Sequence, residues 1–168
     1  PISFKWKLFF ESFGENVFEV VFSGIPGILV ALILYNAAAP ESIWHFVMFL
    51  LTVVFGILIS YQILYLFGLS AFWLIKPWYI SFLTGALTKL FGGLVIPLWL
   101  YPDWLNTISS LLPFRFITYE PIQIYLGNIE GLQVLKCVAM QVFWMLLLLA
   151  VEKVIWAKAS KKIFVQGG

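Results

Sequence analysis

The stretch GGLVIPLWLYPDWL, Gly92 to Leu105, is nearly as apolar as a membrane-spanning helix, yet it holds two adjacent glycines, two prolines and an aspartate. Glycine and proline are the residues least tolerated inside a helix. A helix that reaches this stretch ends in it, in the middle of apolar sequence, and its last backbone carbonyls need new partners. What surrounds the break decides the fold.

The 168 residues are 62% hydrophobic and 11% charged, with a mean hydropathy of +1.00. Soluble domains carry about 25% charged residues, and a soluble chain of about 150 residues still exposes roughly 30% of its unfolded surface. So much apolar surface has no place in water, and the class is integral membrane. The single cysteine, Cys137, excludes an internal disulfide and a CxxC metal site, and it reads as a small packed hydrophobe. The chain starts at Pro1 without a signal-peptide pattern, so further sequence upstream is expected. A net charge of +2 gives no reason to expect a nucleic acid partner.

Crossing the hydrocarbon core takes about 20 mostly apolar residues. Four stretches qualify, at about Val17–Asn36, Ile43–Phe67, Trp78–Trp99 and Leu132–Val151. None shows the period-2 alternation of a barrel strand, so the fold class is all-α: a polytopic transmembrane helix bundle. Lys5 and Lys7 precede the first span, Lys76 joins the second to the third, and Lys153, Lys158, Lys161 and Lys162 follow the fourth. Arg115 lies on the other side, with Lys136 near that boundary. The positive-inside rule then places both ends on the cytoplasmic side, and the expected location is a cell membrane, the bacterial plasma membrane. Residues 1–16 form a cytoplasmic segment, 17–156 the transmembrane domain and 157–168 a basic tail suited to anionic lipid headgroups.

The first segment is amphipathic, with Phe4, Leu8 and Phe9 on one helical face and a Lys7/Glu11 pair elsewhere. It suits either the membrane interface or a groove on a cytoplasmic partner. Within the first span, SGIPGIL brings Ser23, Gly24, Pro26 and Gly27 together and predicts a kink. His45 lies near a span end without the partners of a metal site.

Beyond the break, PDWLNTISSLL reads as a short helix with Pro102 in its first turn and a stripe of Leu105, Ile108, Leu111 and Leu112. Pro113 stops it. RFITYEPIQIYLG then makes a second short segment ending at Gly127. Two short helices after a glycine-broken span predict a re-entrant outer helical hairpin over about 100–130, before the last span. Such backbone is tolerated at membrane depth only against protein or water.

The order Gly92-Gly93, Pro97, Pro102, Trp104-Leu105, Leu111-Leu112-Pro113, Tyr119, Pro121, Gly127 resembles the signature of type-2 ABC transporter permeases. The match covers about residues 80–130; the rest agrees in hydropathy and topology. The resemblance implies that these spans are the third to sixth of a six-helix permease, a membrane subunit of an ATP-binding-cassette exporter. It implies ABC ATPase subunits as partners, a second permease copy or a homologous permease, and membrane lipids around them. ATP and Mg would be bound by the partner, so this chain needs no cofactor of its own. Residues 1–16 would carry the helix that couples to the ATPase, with Phe9, Phe10, Glu11 and Phe13 as contacts. Gly93, Pro97, Pro102, Trp104, Pro113, Tyr119 and Pro121 would shape an outer gate.

Ser81, Gly85, Lys89 and Gly92 share one helical face. A lysine near mid-span costs roughly 2.5–3.5 kcal/mol on insertion scales, so such a residue usually faces protein or water. That face lines a translocation path or a dimer seam; otherwise Lys89 snorkels or caps the carbonyls freed by the glycines. Glu120 is a possible acidic partner. The sequence has no Walker motif, no HExxH and no catalytic triad context, so the chain is not read as an enzyme. The expected function is export of an amphipathic or lipidic substrate; the alternative is a membrane scaffold whose small-residue faces only pack helices. Trp78, Trp99 and Trp104 suit interfacial belts.

Overall fold

The computed structural model describes residues 4–35, 40–69 and 78–163. Every regular element among them is a helix. Helix α1, Phe4–Glu19, runs without a gap into a π turn, Val20–Gly24, and then into α2, Ile25–Tyr35. The wide turn falls where the kink is expected. Pro26 has no N–H for the carbonyl four residues back, and its ring crowds that carbonyl, so the preceding turn loosens.

Helix α3, Ile43–Leu69, starts at Ser42, whose hydroxyl accepts the His45 N–H at 3.3 Å. Helix α4, Trp78–Phe91, stops at the glycines. Helices α5, Asp103–Leu111, and α6, Tyr119–Tyr125, follow, with 3₁₀ turns at Leu98–Leu100 and Pro113–Phe116. Helix α7, Leu132–Ile163, completes the order. By length and hydropathy, Ile43–Leu69 and Leu132–Lys158 are able to cross a membrane; α2 and α4 are shorter, at 11 and 14 residues. The loop with Lys76 lies outside the described residues, as do residues 36–39 between α2 and α3 and the last five residues of the tail.

Helix α3 packs chiefly on α7, and its N-terminal half also receives α6. One cluster joins Phe116, Ile124, Val134 and Cys137; a second joins Ile59, Ile63 and Phe114. A third, Tyr61, Tyr65 and Leu69, takes in Phe9 of α1 and Ile155 of α7. Large apolar side chains also face outward, Ile43 at 84% and Trp99 at 70% exposure. That is the surface of a protein whose solvent is lipid. There the hydrophobic effect does not drive helices together, and close backbone approach and buried polar bonds carry the packing.

Gly56 shows the first of these. A Cβ placed on it would stand 2.7 Å from the Ile117 carbonyl oxygen and 3.2 Å from the Ile117 Cα. Backbone, unlike a flexible side chain, does not step aside cheaply. Gly56→Ala is expected to destabilise the protein by about 1–3 kcal/mol, read as a lower midpoint of thermal unfolding in detergent. Gly14→Ala, where a Cβ meets nothing within 4 Å, should leave the midpoint unchanged or raise it through helix propensity.

Candidate functional site

The end of α4 explains the broken stretch. Gly93 takes φ +72°, the left-handed region, which costs glycine nothing. Its N–H reaches the Leu90 carbonyl at 3.4 Å, and the Leu94 N–H reaches the Lys89 carbonyl at 3.1 Å. This pair of bonds is a Schellman cap. Three side-chain hydroxyls add to it. Tyr101 donates to the Leu90 carbonyl at 2.7 Å, Ser109 to Phe91 at 3.0 Å and Thr118 to Gly92 at 2.7 Å. The carbonyls released by the break are therefore received by the hairpin that follows it.

Thr118 stands at the N-cap position of α6 but makes no side-chain cap bond there. Its hydroxyl serves α4 instead. Gly92 is buried beneath it: an added Cβ would lie 2.7 Å from the Thr118 hydroxyl and 3.3 Å from the Phe114 carbonyl. In α5 the buried residue is Ser109, whereas Ile108 and Leu111 of the expected apolar stripe face outward at 42% and 66% exposure. Ser109 turns inward because its acceptor, the Phe91 carbonyl, is there. Pro102 sits one residue ahead of the expected first turn, as the cap of α5, its carbonyl receiving the Leu105 and Asn106 N–H groups. Pro113 opens the next 3₁₀ turn. Gly127, φ +71°, closes α6 with a second Schellman pair, Gly127 to Ile124 at 3.1 Å and Asn128 to Gln123 at 3.0 Å.

Arg115 ties the hairpin together. Its Nε donates to the Glu120 carboxylate at 2.5 Å, its Nη1 to the Asn106 Oδ1 at 2.9 Å, and its guanidinium lies 5.1 Å from the centre of the Tyr119 ring. The paired side chains are 20% and 14% exposed, which spares the pair most of the solvent screening of a surface bridge. Glu120 is thus the partner of Arg115 and not of Lys89.

Gln141, fully buried on α7, fixes the hairpin to the long helices. Its Nε2 donates to the Thr52 carbonyl of α3 and to the Phe116 carbonyl of the hairpin, each at 2.8 Å. One amide thus joins three parts of the chain. The Thr52 hydroxyl bonds back to the Met48 and Phe49 carbonyls of its own helix, at 2.9 Å each.

The expected site residues separate into groups. Gly93, Tyr119, Pro113 and Pro121 pack inside the hairpin, while Pro97, Pro102 and Trp104 lie on its exposed side. The face of four on α4 divides: Gly92 belongs to the hairpin contact, whereas Lys89 is exposed and a Cβ on Gly85 would meet nothing within 4 Å. The side chain of Ser81 lies outside the described residues. Of the α1 residues, Phe9 turns inward onto Tyr61, ring centres 5.1 Å apart, whereas Phe10, Glu11 and Phe13 are exposed. His45 Nδ1 is 2.9 Å from the Ser42 hydroxyl and 3.9 Å from Glu41, and no group of three metal-ligating side chains stands together among the described residues. The capping hydroxyls, Arg115 and Gln141 escaped the sequence reading. Gln141 had a signal, being the one amide in the apolar run CVAMQVFWMLLLLA, where a polar residue usually turns inward.

A family model described as ABC-2 family transporter protein matches residues 1–167. The chain belongs to that family. It is thus a membrane protein of a transporter family, as its apolar helices and the signature around the hairpin suggest. Comparison with curated proteins and with solved structures gave no match.

Removing the hydroxyl or the amide should loosen the hairpin of this ABC-2 protein. Thr118→Val is expected to cost about 1 kcal/mol and Gln141→Leu about 1–3 kcal/mol, because each leaves buried carbonyls short of a donor. The check is amide hydrogen exchange: residues 103–125 should exchange faster in both variants, and the C-terminal half of α7 should not.

Proposed function

We propose that the chain is a membrane-spanning permease subunit of an ATP-driven transporter, exporting an amphipathic or lipidic compound. The observation that carries this is the family match along residues 1–167 of a chain with spanning-length helices. ATP and Mg are held by a separate ATPase subunit, and a second permease copy completes the pathway. The exposed Lys89 on α4 and the open space beside Gly85 support a role for that face, with Ser81, at the seam or along the path. The hairpin of α5 and α6 forms the outer gate, re-entrant in the outer leaflet.

Helix α1 is the ATPase-coupling element, through the exposed Phe10, Glu11 and Phe13. Phe9 has a different part in it. Its ring stands against Tyr61 of α3, and nine residues earlier on α3, about 13 Å along a helix, the Thr52 carbonyl is held by Gln141. A displacement of α1 is passed to α3 and from there to the residues that hold the hairpin. The ATPase supplies the differential binding energy that moves such an element between two packings.

The test is affinity purification of the full-length protein in mild detergent at native expression. A co-purifying ATPase is expected, and Phe10→Ala with Phe13→Ala should weaken its attachment about tenfold or more. Phe9→Ala should keep the partner bound but lower substrate-stimulated ATP hydrolysis. A preparation with no nucleotide-binding partner would leave a membrane scaffold.

A further inference from the structure

Where α1, α3 and the C-terminal half of α7 meet, they leave a cleft of about 440 Å³. That lies within the range of about 300–1,000 Å³ typical of small-molecule sites. Leu58 of α3 and Met145, Leu146 and Leu149 of α7 make its apolar walls. Phe9 and Tyr61, ring edge to ring face, close one side.

Glu152 borders the cleft but has an interaction of its own. Gln62 differs. It is 9% exposed, and its Oε1 is buried without a hydrogen-bond partner. Apolar walls supply no donor, and an acceptor left unpaired among them bears its full desolvation cost. The last torsion of a glutamine side chain is broad and roughly two-fold, so the amide turns to present either its oxygen or its nitrogen to the cleft.

We propose that this cleft seats an uncharged single-chain amphiphile with a hydroxyl head, its O–H donated to the Gln62 amide and its alkyl chain along Leu58, Met145, Leu146 and Leu149. A hydroxyl supplies the donor that Oε1 lacks and also accepts from the amide nitrogen. The amide is neutral, so it offers an ionic head no counter-charge. An ether of the same chain length fills the same walls but has no proton to donate. The single polar group orients the head and the walls accept the chain, the usual division of labour in such sites.

The probe is a twelve-carbon primary alcohol with a mid-chain diazirine, photolysed with the full-length protein and mapped by mass spectrometry. The nanodiscs are of phosphatidylcholine, whose head carries no hydroxyl. Labelling is expected at Leu58, Met145, Leu146 or Leu149, displaced by excess dodecan-1-ol and at least threefold less well by dodecyl methyl ether or dodecyltrimethylammonium. Gln62→Met, close in size but without the amide, should cut labelling about three- to tenfold, with labelling of the exposed Leu135 unchanged. Equal displacement by alcohol and ether would overturn the proposal, since the cleft would then take any alkyl chain. Stronger displacement by the ammonium compound would overturn it too, because charge and not a donated proton would select the head, and so would cleft residues left unlabelled. The head-group comparison uses the unaltered sequence and does not depend on a variant folding. It needs neither nucleotide nor a partner subunit, so its outcome is separate from that of the transport reading.

Discussion

A helix that stops inside apolar sequence must hand its last carbonyls to new partners, and this constraint organises the structure. Helix α4 ends at two glycines, and Tyr101, Ser109 and Thr118 each bring a hydroxyl to one of the carbonyls left over. Those residues come from three successive pieces of chain, so the need to cap one helix fixes the position of the 3₁₀ turn, of α5 and of the start of α6. Gln141 repeats the logic on a larger scale, holding carbonyls of α3 and of the hairpin from α7. In a medium where apolar contact alone gives little preference for protein over lipid, these bonds supply the specificity that a buried core supplies in water.

The hairpin also shows why local patterns mislead here. By the rules of a soluble helix, Ile108 and Leu111 would point inward and Ser109 outward. For these three residues of α5 the reverse holds, because the interior contains the acceptor for Ser109. Arg115 and Glu120 likewise sit largely out of solvent, paired with each other, and Arg115 is also held by Asn106 and the Tyr119 ring. A charged pair in such a position is costly to break, since either member alone would be left buried.

Hydropathy made the long helices legible, because α3 and α7 are unbroken apolar runs of the length a membrane demands. The break after Phe91, the stop at Pro113 and the turn at Gly127 were also legible, since proline and glycine act through their own backbone chemistry. The division of labour within α1 was not: Phe9, Phe10 and Phe13 look alike in sequence, and only the presence of Tyr61 separates the inward ring from the outward ones. The partner of Glu120 was hidden for a similar reason. The sequence offered Glu120 only as a partner for Lys89, and the 3₁₀ turn at Pro113–Phe116 brings Arg115 to it instead.

The sequence separations of the polar bonds bear on the order in which the chain is built. The three hydroxyl caps span 11, 18 and 26 residues, so α4 and the hairpin can join as soon as Thr118 has been synthesised. The bond from Gln141 to Thr52 spans 89 residues and must wait for α7. Short loops close at low entropic cost, and long ones close late. The hairpin can therefore form as a local unit, with its helix-ending carbonyls satisfied without the last helix. Insertion of α7 then has a finished surface to recognise, and Gln141 is the residue that reports whether it has docked in register.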